Sequence, residues 1–154
     1  MNWQAGDIGA SSSTGFVDRM IQVGQRIHGC PEWQWNHIFI VVSDKGDTIE
    51  ARANGVVAYS LDKHHEKLLN LGCPPGVDRN KVVEAAHGYL GTEYGFFDDF
   101  LLGIDCLTRL KLSWRGDTLI CSELGNLCLR AGGWHTSLVP SLTMPGDLVE
   151  EMQK

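Results

Sequence analysis

The segment that begins at His37 constrains the fold more than any other part of the chain. It reads His-Ile-Phe-Ile-Val-Val, and such a run of β-branched and aromatic residues is typical of a buried strand over 37–42. The turn-forming sequence Ser-Asp-Lys-Gly follows at 43–46, so the chain is expected to reverse there. This pattern predicts a small antiparallel sheet whose further strands cover 48–53, 56–61 and the region near 68–71.

Helical patterns flank this segment on both sides. Thr14 is predicted to cap a helix that runs to about His28, and helices are also predicted over 78–90, 96–110 and 120–131. Because Pro140 and Pro145 interrupt the tail, an irregular C-terminal segment is expected. Strands grouped together with helices at both ends predict an α+β fold rather than alternating βαβ units. In the first helix the residues predicted to share one apolar face are Phe16, Met20, Val23 and Ile27.

Length and charge narrow the classes of protein to consider. The chain has 154 residues, which corresponds to a single domain over 1–154. A net charge of −6 argues against a nucleic-acid partner, which needs a basic patch, and against a polybasic membrane-surface protein. The apolar runs are too short to span a membrane. The sequence carries no phosphate-binding loop, dinucleotide fingerprint or zinc spacing, so neither a cofactor nor a metal is expected.

The cysteines indicate a reducing compartment. There are five of them and no Cys-x-x-Cys pair, a pattern unlike a secreted disulfide framework. The first residues lack the basic start and apolar run of a signal peptide. We therefore expect a cytoplasmic protein, although release by lysis or by another export route is compatible with the same features. The oligomeric state is left open.

Cys121 is the most suggestive residue for chemistry. It lies where the helix over 120–131 is predicted to begin, and helix-start N–H groups stabilise a thiolate and an oxyanion. This placement suits covalent catalysis, because the thiolate is the nucleophilic form of cysteine. The alternative interpretation is a small buried core residue.

His37 and Glu50 are predicted to be neighbours on one face of the sheet. If the turn pairs Val42 with Asp47, then His37 lies opposite Arg52 and diagonal to Glu50. A carboxylate there can orient an imidazole and stabilise its cationic form. The prediction depends on the register, because a slip of one residue turns Glu50 to the other face. A purely structural histidine at the end of a strand is the alternative.

Several short motifs follow one another along the chain. They are Gly6-Asp7-Ile8, Asn36–Val42, Thr48–Ala51, Gly55-Val56, Gly91–Tyr94 followed by Phe96, Ile120–Leu124, and Pro140–Leu148. In this order they resemble the motifs of the permuted NlpC-type papain-like cysteine hydrolases, the group that includes YiiX-like proteins and relatives of lecithin:retinol acyltransferase. The resemblance extends over most of the chain and implies a circularly permuted papain-like fold.

The resemblance also implies roles for individual residues. Cys121 would be the nucleophile, His37 the base and Glu50 the third polar residue, with Tyr94 as an oxyanion donor. The sequence departs from the family pattern at three positions. Asn36 stands where serine is usual, Phe39 where glycine is frequent, and Gly95 where aspartate is usual. The ring of Phe39 is expected to narrow the cleft or to restrict the substrates, and Gly95 leaves the role of Tyr94 open.

Taken together, these features predict a cysteine hydrolase that cleaves an amide bond through an acyl-enzyme. The expected substrate is a small peptide, a peptidoglycan fragment or another acyl compound. The alternatives are a lipid-directed thioesterase or acyltransferase, against which the sequence shows no amphipathic basic helix, and an inactive binding module of the same fold.

Other candidate sites are weaker. His64, His65 and Glu66 form a possible metal site, but the lysines on either side favour a solvated loop. Asp98-Asp99 is interpreted as a helix face or cap, and Cys128 as a core residue. The tryptophans that are compatible with either a substrate cleft or the core are Trp33, Trp35, Trp114 and Trp134.

Overall fold

The protein is described by a computed structural model that covers residues 2–93 and 120–154. These residues form an α+β fold in which one sheet of five antiparallel strands has the order β4-β3-β2-β1-β5. The strands are β1 Ile8–Ser12, β2 His37–Val41, β3 Asp47–Arg52, β4 Gly55–Ser60 and β5 Lys67–Gly72. The helices are α1 Phe16–Ile27, α2 Arg79–Gly88, α3 Cys121–Ala131 and α4 Pro145–Met152.

The predicted register of the central hairpin is confirmed. Ile40 pairs with Ile49 and Val41 with Thr48, and the N–H of Val42 donates to the carbonyl of Asp47 at 2.8 Å. This register places Glu50 on the sheet face that also carries His37.

The opposite face of the sheet forms the core. Ile38, Ile40, Ile49 and Ala51 are fully buried there and belong to one apolar cluster with α2 and α3. Helix α3 lies directly against β2 because it carries Gly125 at the contact. A Cβ at that position would lie 2.9 Å from the Ile38 side chain, so a larger residue would push the helix off the sheet.

Two elements differ from the sequence-based prediction. Strand β1, which was not predicted, lies between β2 and β5, and its sequence Ile-Gly-Ala-Ser-Ser carries little strand propensity. The expectation of an irregular tail was wrong, because Pro145 occupies the first turn of α4, where its missing N–H costs nothing. The carboxylate of Asp147 accepts the N–H of Met144 at 3.0 Å and caps this helix.

Helix α1 turns toward solvent much of the apolar face that its sequence predicts. Phe16, Val23 and Ile27 are 76%, 47% and 58% exposed. The buried side instead carries Gln25, whose amide donates to the carbonyls of Trp33 and Trp35 at 2.9 Å each. Polar anchoring therefore outweighs apolar burial in this helix. The expectation of no amphipathic basic helix was wrong, because α1 exposes Arg19 and Arg26 together with these apolar residues.

Several predictions lie outside the described residues. These are the helix over 96–110, the roles of Tyr94 and Gly95, the acid pair Asp98-Asp99, and the placement of Trp114. Among the helices that the structure describes, none has the length and apolar character needed to cross a membrane.

Candidate active site

Cys121 is the first residue of α3, as the sequence predicted. Its side chain is only 3% exposed. The residue before it, Ile120, has an extended backbone and gives the helix start no side-chain hydrogen bond. The start of α3 is held in place by Ser122, whose hydroxyl donates to the carbonyl of Thr143 at 2.6 Å. A fixed helix start therefore presents its positive dipole end at the thiol.

His37 connects this thiol to the sheet. The imidazole hydrogen-bonds the side chain of Cys121, and its Nε2 lies 3.0 Å from Oε2 of Glu50. Since Nε2 is engaged with Glu50, Nδ1 is the ring nitrogen that remains for the sulfur. The side chain of His37 is 17% exposed, so the imidazole is the solvent-facing member of the set. The structure thus brings together Cys121, His37 and Glu50.

Glu50 is completely buried and is surrounded by donors. Its Oε2 accepts from His37 and from Nη1 of Arg52, the latter at 2.8 Å. Its Oε1 accepts from the hydroxyl of Thr48 at 2.6 Å and from Nε2 of His64 at 2.8 Å. An ionised carboxylate accepts hydrogen bonds and donates none, so all four partners are donors. This arrangement compensates for the cost of burying the charge.

His64 was interpreted from the sequence as part of a solvated loop, and that interpretation was wrong. Its side chain is 1% exposed, and its Nδ1 lies 2.6 Å from Oε1 of Glu66. The short helical turn Leu61–Lys63 after β4 delivers it to the sheet face. A histidine flanked by lysines resembles a surface residue in sequence. The only sequence signal for a buried His64 was the spacing His64-x-Glu66, which allows the carboxylate of Glu66 to bind the imidazole.

The aromatic ring of Phe39 supports His64 instead of lining a cleft. The two rings stack with their centroids 5.0 Å apart, and Trp3 packs on Phe39 at 5.6 Å. Phe39 is fully buried. It occupies the space above Gly9, where an added Cβ would overlap the ring. The expectation that Phe39 narrows the cleft is therefore corrected.

The electrostatics of the site favour an ionised network. Burial opposes the charged form of His37, but the hydrogen bonds to Cys121 and Glu50 outweigh it and raise the pKa of His37 to about 10. Burial also opposes the charge of Glu50, yet its bonds to His37, His64 and Thr48 hold the pKa of that carboxyl well below its usual range. At neutral pH the site therefore contains an imidazolium and a carboxylate in direct contact.

Two polar residues of neighbouring segments frame His37. Asn36 is buried. Its amide donates to the carbonyl of Ser13 at 2.8 Å, and its Oδ1 accepts the N–H of Ser13 at 3.1 Å. Ser11 pairs with His37 across β1 and β2, and its hydroxyl is buried without a hydrogen-bond partner among the described residues. Asn36 therefore ties the start of β2 to the segment after β1. The hydroxyl of Ser11 lies on the strand next to His37 and makes no hydrogen bond to another described residue.

Cys128 and the tryptophans Trp33, Trp35 and Trp134 take other positions in the described part of the chain. Burial raises the pKa of Cys128 to about 12, which agrees with its prediction as a core residue. Trp35 is buried in the core. Trp33 is covered by the guanidinium of Arg26 at 5.1 Å, and Trp134 packs against the edge of the core. Neither interpretation of the tryptophans was favoured from the sequence, and Trp35 is now assigned to the core.

The described residues contain no group of three or more histidine, cysteine or acidic side chains that is arranged to hold a metal ion. No family model matches the chain, and no curated protein matches it. The site must therefore be interpreted from its own geometry. A thiol at a helix start, an imidazole and a buried carboxylate in hydrogen-bonded sequence have the arrangement that a nucleophile, a base and an orienting group require.

Proposed function

We propose that the protein is a cysteine hydrolase that cleaves an amide bond through a covalent acyl-enzyme at Cys121. The observation that carries this proposal is the continuous hydrogen-bonded series from Cys121 through His37 to Glu50, at the start of α3. The fold proposed with it is the permuted papain-like arrangement that the sequence motifs imply, and the described α+β sheet is consistent with it.

In the first half of the reaction the Cys121 thiolate attacks the carbonyl carbon of the substrate. The new C–S bond forms as the carbonyl oxygen becomes an oxyanion, which the N–H groups at the start of α3 stabilise. The tetrahedral intermediate then collapses and the C–N bond breaks. His37 gives its proton to the departing amine, so that a neutral amine leaves and a neutral imidazole remains.

In the second half, His37 removes a proton from a water molecule, and the resulting hydroxide attacks the thioester carbonyl. The C–S bond breaks, the carboxylic acid leaves, and the imidazolium–thiolate pair is restored. Glu50 stays ionised throughout and stabilises the imidazolium form of His37. The substrate class, including peptides of the cell wall, is inferred from the family resemblance.

A lipid-directed thioesterase or acyltransferase is the second candidate, and one observation favours it. Helix α1 exposes Phe16, Val23 and Ile27, and the basic residues Arg19 and Arg26 are exposed on the same helix. An apolar stripe flanked by basic side chains suits contact with a lipid surface. The third alternative, an inactive binding module, predicts that Cys121 does not become acylated.

Intact-mass analysis after exposure to p-nitrophenyl acetate separates these possibilities. The wild-type chain is expected to gain one acetyl group and then lose it by hydrolysis. Cys121→Ala should gain none, and His37→Ala should react far more slowly, because proton transfer and thiolate stabilisation are lost together. Esters of increasing chain length, compared with peptide amides, distinguish a lipid-directed enzyme from an amidase.

A control variant and circular dichroism complete this experiment. Cys128→Ala removes a thiol from the core of the same helix and should still be acylated if the variant folds. Stoichiometric acylation that persists in folded Cys121→Ala would refute the proposed nucleophile. Absence of any acylation in the wild-type protein would favour the binding module.

A further inference from the structure

The carboxylate of Glu50 is held from two sides. His37 and Arg52 bond Oε2, while Thr48 and His64 bond Oε1. We propose that His64 is a positioning residue, which fixes the orientation of Glu50 and places a positive charge behind it, so that the set is Cys121–His37–Glu50–His64–Glu66. This inference rests on the proposed function, because it concerns the same site.

The geometry around His64 requires a cationic ring. Nε2 lies 2.8 Å from Glu50 and Nδ1 lies 2.6 Å from Glu66. A neutral imidazole has one N–H, whereas two carboxylates facing its two nitrogens need two. Both contacts are satisfied only when both nitrogens carry protons. In agreement, and although burial opposes the charge, the bonds to Glu50 and Glu66 raise the pKa of His64.

The ring also has little freedom to move. Phe39 stacks on one face at 5.0 Å, and the ring of Tyr59 meets it edge-on at 5.3 Å. Among the described residues, the charged or titratable groups in contact with it are Glu50, Glu66 and Tyr59. Tyr59 itself lies beneath Arg52 and Lys63, at 4.1 Å and 5.2 Å. A ring held by two carboxylates and two aromatic contacts can transmit its position to Glu50.

The charge of His64 has a consequence for the reacting groups. Glu50 carries one negative charge and shares it among His37, Arg52 and His64. A cation on Oε1 therefore weakens the attraction of Glu50 for the proton of His37. Loss of this cation should strengthen that attraction and move the alkaline limb of the Cys121 pH–rate profile, where His37 loses its proton, to higher pH. A loss of packing alone should change the rate without that shift.

The test compares three variants by the pH dependence of Cys121 alkylation with iodoacetamide, followed by peptide mapping. His64→Gln keeps an N–H donor but removes the charge, and His64→Ala removes both. His65→Gln is the matched control, because His65 is the neighbouring histidine and is exposed. Circular dichroism confirms that each variant is folded.

For His64→Gln we expect a shift of about one pH unit to higher pH, the effect of one charge across a carboxylate in a medium of intermediate dielectric constant. His64→Ala should lower the rate ~10- to 100-fold, as misplacement of a reacting group does. His65→Gln should match wild type. An unshifted profile in folded His64→Gln would overturn the proposal, including when His64→Ala fails to fold.

The two proposals fail in different ways. If Cys121 in the wild-type protein is not the preferentially alkylated thiol, the proposed function is refuted whatever His64 does. If Cys121 is alkylated preferentially and the pH dependence of its alkylation is the same in His64→Gln as in the wild-type protein, only the positioning role is refuted.

Discussion

Replacement of Glu50 by glutamine removes the charge at the centre of the network and keeps the size of the side chain. Each carboxylate oxygen of Glu50 accepts two hydrogen bonds. An amide has one oxygen, so two of the four donors would meet an NH₂ group. If the amide oxygen faces His37 and Arg52, Thr48 can rotate its hydroxyl, whereas Nε2 of His64 must give up its proton.

The effect on His37 can be worked out from the contact itself. A hydrogen bond to a charged partner contributes about 1.5–3 kcal/mol, and 1.36 kcal/mol corresponds to one pH unit. Loss of the charge should therefore lower the pKa of His37 by about one to two pH units from its value of about 10. Because the pKa of His37 is raised, the imidazolium is present at neutral pH and is lost as the pH rises through that value. A lower pKa therefore moves this loss to lower pH.

The measurement is the rate of Cys121 alkylation from about pH 5 to pH 11, together with turnover of an activated ester. In Glu50→Gln the alkaline limb of the pH–rate profile, where His37 loses its proton, should move to lower pH. Turnover should fall less than in His37→Ala. Thermal melting monitors the fold, because breaking a buried charge network costs about 3–5 kcal/mol. Glu84→Gln, the same substitution at an exposed position on α2, should change neither limb. Wild-type rates and limbs in folded Glu50→Gln would refute Glu50 as the orienting residue.

Three further predictions concern the surroundings of the site. Iodoacetamide should label Cys121 first, because burial raises the pKa of Cys30 to about 11 and that of Cys128 to about 12; faster labelling of Cys73, seen by peptide mapping, would count against the site. Ser11→Ala should change the free energy of unfolding by less than about 1 kcal/mol in urea melts, because its hydroxyl has no described partner to lose; a loss of turnover in that variant would assign the hydroxyl to substrate contact. If Tyr94 donates to the oxyanion, Tyr94→Phe should lower turnover ~10²-fold, and unchanged turnover would make it a packing residue.

The amino-acid sequence by itself determined the elements whose patterns are local. The β-branched run after His37 and the turn that follows it predicted the hairpin and its register, so His37 and Glu50 were expected to meet. The start of α3 at Cys121 was likewise predictable, because an apolar helical stripe begins there and glycines end it.

Tertiary structure decided whatever depended on partners that are distant in sequence. Strand β1 exists because β2 and β5 pair with it, not because of its own propensity. Helix α1 turns its apolar stripe outward because Gln25 satisfies buried carbonyls and the N–H of Gly146. His64 enters the site because the fold brings Glu50 and Phe39 to it, and a buried ion network of this kind has no periodicity that a sequence can display.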